Sequence, residues 1–194
     1  MQNTTIDADI VRRCCEDLEK SLDDTVEREV QAQWERFLDG DSDSPVFSPH
    51  RSAPAHATGH VWPSVHINDA QEDRDAMLVS QLSGCREMLR RGTGDALGVR
   101  CNYGVGILPS LFGAPIRHME RELHTLPTSL PLGPDKTRGL LDKGIPDIHS
   151  GLGEQVFAMA HRYLEFFSRY DTIGRHVRLY HPDLQGPMDV LELL

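Results

Sequence analysis

Three short runs with β-forming centres, at 64–68, 96–102 and 176–180, are each joined to an amphipathic stretch, and this alternation constrains the fold more than any other feature of the chain. The first run lies in VWPSVHIND, where Pro63 confines any ladder to the residues after it. Behind it Leu78, Leu82, Cys85 and Leu89 recur at helical spacing, with Glu72 in capping-box position relative to Asp69 and Gly92 as the stop. The second run, ALGVRCN, follows a Gly-Thr-Gly-Asp turn. A strand-helix-strand unit of about 35 residues closes right-handed with parallel strands, which predicts an α/β fold.

The remaining segments extend the pattern. A short helix is expected over 108–112, and 124–153 reads as a loop-rich insertion around one short helix at 135–143. Val156, Ala160, Tyr163, Phe167 and Tyr170 then form an aromatic stripe of the kind that packs into a core. HVRLY is the third predicted strand, and Gly186-Pro187 opens a last helix that reaches LELL without a stop signal.

At the other end, Val11, Cys15, Leu18, Leu22, Val26, Val30, Trp34 and Phe37 step by three and four, which predicts one long amphipathic helix over 8–38. Asp7 or Asp9 caps it and Gly40 ends it. Residues 41–60, rich in Ser, Pro and Gly, read as a linker. The net charge of -10 belongs to this region: residues 1–44 hold thirteen Asp/Glu against five Lys/Arg, and the remainder is nearly balanced. No basic face is available to replace phosphate counterions, so nucleic acid is not an expected partner.

Length and composition, with 194 residues of which 39 % are hydrophobic and 26 % charged, suit a globular chain with a real core. No run resembles a membrane span or a secretory leader, so a cytoplasmic location is expected. Cys14, Cys15, Cys85 and Cys101 show no C-x-x-C and read as buried thiols. His50, His56, His60 and His66 fall close together, but without an acidic or thiolate companion they make a poor zinc set. The serine-hydrolase elbow, the Walker loop and H-E-x-x-H are absent.

In parallel α/β folds the reactive groups follow the strand ends. That rule singles out His66 and Asn68 after the first strand and Asn102 and Tyr103 after the second, ahead of Gly104 and Gly106. His181, Asp183 and Gln185 follow the third. YHPDLQGP is the densest polar cluster, suited either to ligand hydrogen bonding and acid-base work or, for Asp183 and Gln185, to a turn and helix cap. Gly104 and Gly106 permit either close approach to a ligand or tight packing against a neighbouring segment.

At NYGVGILPSLFG and YHPDLQGPMDVLELL, and more weakly at INDAQEDRDAMLVSQL, HTLPTSLPL and GIPDIHSGLG, the chain from Val61 onward resembles the uroporphyrinogen decarboxylase superfamily, in its decarboxylase-like branch. The resemblance implies the N-terminal part of a (β/α)₈ TIM-type barrel enzyme, apparently truncated, with 1–40 as an acidic helical extension. It implies a tetrapyrrole or corrinoid-linked small-molecule substrate bound by Asn102, Tyr103, His181, Asp183 and Gln185. The implied chemistry is that of a lyase without a cofactor, or methyl transfer using zinc and a corrinoid, with a corrinoid protein or a second copy as partner. VWPSVHIND lacks the arginine pair of the true decarboxylases, Asn102-Tyr103-Gly104 lacks their aspartate, and their substrate-contacting tyrosine is replaced near Leu193, all of which points away from uroporphyrinogen itself. The alternative is a non-catalytic binding module that keeps the fold and docks a partner through its acidic helix.

Overall fold

The computed structural model describes residues 5–41, 46–53 and 58–194. It is a mixed α/β structure, mostly helical, whose strands are short. The chain divides into two compact units: 1–64, 78–99 and 165–179 form the first, and 65–77, 100–164 and 180–194 the second.

In the first unit, α1 (Ala8–Ser21) buries Val11, Cys14, Cys15 and Leu18, one stripe at helical spacing, and Asp7 caps it by accepting from the Asp9 and Ile10 amides. The single helix expected over 8–38 is two helices. Leu22 adopts an extended backbone, with φ -81° and ψ 128°, and Asp23 caps a new helix, α2 (Asp24–Leu38), by accepting from the Thr25 and Val26 amides. The apolar spacing runs through the break because both helices face the same core, while the cap that divides them is a local Asp hydrogen bond. Gly40, at φ +78°, ends α2 as expected.

The expected strand at 64–68 is absent. The His66 ring instead accepts from the Asn68 amide and starts a helix in the second unit, α3 (Ile67–Glu72). Asp73, rather than Asp69, then accepts from the Asp75 and Ala76 amides to begin α4 (Arg74–Arg91), which contributes to both units. Leu78, Leu82, Cys85 and Leu89 of α4 are all buried, as their spacing predicts. The strand predicted at 96–102 shrinks to β1 (Gly98–Val99).

The core of the first unit closes around a parallel ladder. β1 pairs with β4 (Arg178–Leu179), with Gly98 opposite Arg178 and Val99 opposite Leu179, and the Arg178 amide donates to the Leu97 carbonyl at 3.0 Å. The helix before β4, α8 (Asp171–His176), has no capping side chain of its own. Glu19 of α1 supplies one across the core, its two carboxylate oxygens accepting from the Thr172 and Ile173 amides at 2.7 and 2.8 Å. Asp24 at the start of α2 receives His176 Nε2 and Arg175 Nη1, each at 2.8 Å. Glu27 of α2 is buried in a bidentate pair with Arg51 at 2.7 and 2.8 Å.

Asp17 is the most enclosed acid of α1. Trp62 Nε1 donates to it at 2.6 Å, Arg86 Nε at 3.0 Å, and the Thr58 hydroxyl donates as well. Burial works to raise its pKa, but the three hydrogen bonds together outweigh that and hold it below the ordinary carboxylate value of 3.8. Thus not all of the acidic face is solvated; Asp17 and Glu27 turn inward.

The second unit is built from α3, the start of α4, α5 (Ile107–Leu111), β2 (Ile116–Arg117), β3 (Thr128–Ser129), α6 (Pro134–Leu141), the first part of α7 (Gly153–Phe167) and α9 (Pro187–Leu193). β2 and β3 form an antiparallel pair that no periodicity announced, since two residues cannot display a period. The core holds Met77, Cys101, Tyr103, Ile107, Met159 and Tyr163. The mixed α/β class is present, but among the described residues the strands make two separate two-stranded sheets. No helix among the described residues is long and apolar enough to cross a membrane.

Two outcomes are expected. Glu19→Ala removes the cap of α8 and should lower the urea midpoint by the equivalent of about 1 kcal/mol with an unchanged slope, whereas Glu19→Gln keeps an acceptor and should lose less. Because the folded-state pKa of Asp17 lies below the unfolded value, its stabilisation is whole above that value and is lost as pH falls through the depressed one. The urea midpoint of the natural chain should therefore fall more steeply between about pH 5 and about pH 2 than that of Asp17→Asn.

Candidate functional site

The two segments singled out by the sequence, 100–106 and 180–187, meet within the second unit. Arg100 Nη1 donates to Asp183 Oδ1 at 2.6 Å, and both side chains remain partly exposed. Arg100 is held by its backbone too, because the Tyr163 hydroxyl, deep in the core on α7, donates to the Arg100 carbonyl at 3.1 Å. One residue on, the buried Cys101 thiol donates to the Val156 carbonyl of the same helix at 3.4 Å. Of the stripe read from the sequence, Tyr163 is buried while Val156, Ala160, Phe167 and Tyr170 are half-buried, and the buried face of this helix is Met159, Tyr163 and Phe166.

Asn102 is half-buried. Its carbonyl accepts from Gln71 Nε2 of α3 at 2.6 Å, while its side-chain oxygen Oδ1 is shut off from solvent without a hydrogen-bond partner. Tyr103 is buried, and desolvation pushes its phenol up to about 12, so it stays protonated and neutral at physiological pH. Gly104, at φ +81°, and Gly106 then let this segment lie against the β2–β3 region: a Cβ on Gly104 would stand 2.8 Å from the Pro127 carbonyl oxygen, and one on Gly106 2.6 Å from Ser129 Oγ. Of the two roles open to these glycines, tight packing is the one the backbone displays.

On the opposite segment, Asp183 faces Arg100 and does not cap α9. That task falls to Asp189, which accepts from the Gly186 amide at 3.2 Å. Gln185 is half-buried, and its Oε1 is a second enclosed oxygen without a partner. His181 is exposed; its Nδ1 lies 2.9 Å from the carbonyl of Pro182 and its ring packs on Tyr180 at 4.0 Å. Asp183 is therefore brought to Arg100, Asn102 and Gln185 each present an unsatisfied acceptor, and His181 lies outside this set.

α3 adds a second polar group to the same unit. Asp69 receives Arg121 at 2.5 and 3.1 Å, and hydrogen bonding from that guanidinium is the main reason its carboxyl sits below the usual range. His66 Nε2 lies 3.1 Å from the Arg121 carbonyl, and since its Nδ1 already accepts from the Asn68 amide, Nε2 is the protonated nitrogen that donates. The Asn68 carboxamide donates to the Met119 carbonyl at 2.9 Å and leaves a third enclosed oxygen unpaired. His66 and Asn68 were expected at a strand end and are found at a helix start, where they tie α3 to 119–121. Neither Arg100 nor Arg121 was singled out from the sequence. Arg100 carried a signal, a lone base at the end of an apolar run; Arg121 carried none, since Asp69 is 52 positions away.

Among the described residues no three His, Cys, Asp or Glu side chains converge as metal donors, so a zinc set of the kind used in methyl transfer is not supplied by them. His56 lies outside the described residues. The four cysteines are buried and unpaired with one another, and burial raises the thiols of Cys14, Cys85 and Cys101. Comparison with known proteins finds no family model, curated protein or solved structure that matches the chain.

Gly104→Ala tests how tightly this segment is held. The positive φ and the approach to a backbone carbonyl should together cost about 1–3 kcal/mol of unfolding free energy, measured by urea denaturation, and a loss within experimental error would show that 102–106 is free to move.

Proposed function

We propose that the chain carries part of the small-molecule site of a uroporphyrinogen decarboxylase-like barrel enzyme, with a tetrapyrrole or a corrinoid-linked group as ligand. The observation that carries this reading is the 2.6 Å pairing of Arg100 with Asp183, because it joins the two segments that follow β1 and β4, the place where parallel α/β enzymes collect their ligand-binding groups. The half-buried carboxamides of Asn102 and Gln185, one on each of these segments, support it, since an amide can hydrogen-bond the polar groups that such a ligand carries. Arg100 supplies positive charge for an anionic substituent, and Asp183 holds the guanidinium in place until a ligand arrives. Tyr103, neutral and buried, serves as an apolar wall.

A second reading, a binding module without chemistry, draws on His181. The imidazole best placed in the sequence for acid-base work faces its own Pro182 carbonyl.

Titration with uroporphyrin and, separately, with hydroxocobalamin, followed by tryptophan fluorescence, tests the proposal. One saturable site should appear with at least one of them, weakened about tenfold by Asn102→Ala and by Asp183→Ala. A chain that responds to neither compound sinks the proposal, and binding indifferent to both substitutions places the ligand elsewhere. If binding is confirmed, release of carbon dioxide or transfer of a methyl group from a bound substrate separates an enzyme from a binding module.

A further inference from the structure

In the first unit, α2, residues 96–97 and the segment 175–178 line a cavity of about 220 Å³ that shares no residue with the site proposed above. Val30 and Leu97, each 3 % exposed, give it apolar lining. The Trp34 indole lines it too, and because its N–H is already donated to the Gly94 carbonyl at 2.8 Å, it offers the cavity only apolar surface. Sites for drug-sized ligands run from roughly 300 to 1,000 Å³, so this one suits a smaller molecule. Among the charged groups Arg178 stands apart. It is exposed and lines the cavity, yet among the described residues its guanidinium makes no ion pair and no hydrogen bond. Nearby acids are matched by bases: Glu27, the one acid lining the cavity, has both oxygens taken by Arg51, Asp24 is paired with Arg28, and Asp171 with Arg175.

We infer that this cavity binds a small carboxylate carrying one flat apolar ring, with the carboxylate on Arg178 and the ring against Trp34, Val30 and Leu97. A guanidinium fork gives a carboxylate two parallel N–H···O bonds, a geometry that selects this anion over a neutral group of the same size. Burial of the ring supplies affinity that a bare anion lacks.

The probes are benzoate, benzyl alcohol, which has the ring without the charge, and acetate, which has the charge without the ring. Two-dimensional ¹H–¹⁵N NMR of the full chain follows the indole N–H signals of its two tryptophans, which Trp34→Phe assigns. Benzoate should shift the Trp34 signal saturably and bind about tenfold tighter than either benzyl alcohol or acetate. Arg178→Gln should weaken benzoate about tenfold and leave benzyl alcohol within about twofold. Ala96→Phe, which crowds the cavity from an exposed position, should weaken both aromatic probes about tenfold. The same spectra verify that each variant folds. Absence of a saturable shift at Trp34, equal affinity for benzoate and either control, or indifference of benzoate to Arg178→Gln or to Ala96→Phe would overturn the inference. Asp183→Ala should leave benzoate binding unchanged even where it weakens tetrapyrrole or corrinoid binding; loss of both would overturn a separate site in the first unit.

Discussion

Two residues on each side make up the ladder between β1 and β4, and a ladder that short has no independent stability. It persists because everything around it is closed. Val99 and Val177 are 1 % exposed, Ile173 is fully buried, and the Cys85 thiol donates to the Gly98 carbonyl. The helix that delivers β4 is fixed at its start by Glu19 and at its end by Asp24, which receives both His176 and Arg175. Residues of α1 and α2 therefore set the position of a strand more than 150 positions later in the chain. In the second unit the segments that continue from these two strands meet as Arg100 and Asp183.

Part of the negative charge of the N-terminal segment has a structural explanation. Five of its acids serve helix ends and buried partners: Asp7 and Asp23 cap the helices that follow them, Glu19 caps α8, Asp17 gathers three donors, and Glu27 grips Arg51. Removing one partner of a buried pair leaves an uncompensated charge, so these acids fix which surfaces meet even where their net stabilisation is modest. The segment is thereby part of the body of the first unit. What reads in composition as an acidic face is, in several places, the means by which distant segments are positioned.

Much of the helical architecture was legible. The stripes of α1 and of α4 at Leu78, Leu82, Cys85 and Leu89 are buried as their spacing requires, and α5, α6, α7 and α9 lie close to where caps, glycines and apolar steps put them. Of the proposed ligand residues, Asp183 pairs with Arg100 and Asn102 and Gln185 each enclose an oxygen without a partner, and all three were visible as polar residues after an apolar run. His181 looked similar in sequence but turns to a neighbouring carbonyl, a choice that depends on the rotation of one side chain. The strand expected at 64–68 fails for a definite reason: β-rich residues need a partner strand, and here the His66 ring caps a helix instead.

By itself the sequence determined what is local and periodic: which faces of several helices are apolar, where most of them stop, and the segment that carries the charge. Only the tertiary structure decided that 8–38 breaks at Leu22, that Glu19 caps α8, that Asp69 meets Arg121, and that Arg100 meets Asp183. A periodic signal arises because successive turns of one helix share a surface, so it survives in the sequence. A contact between residues dozens of positions apart leaves no such trace, because it depends on how separate elements pack.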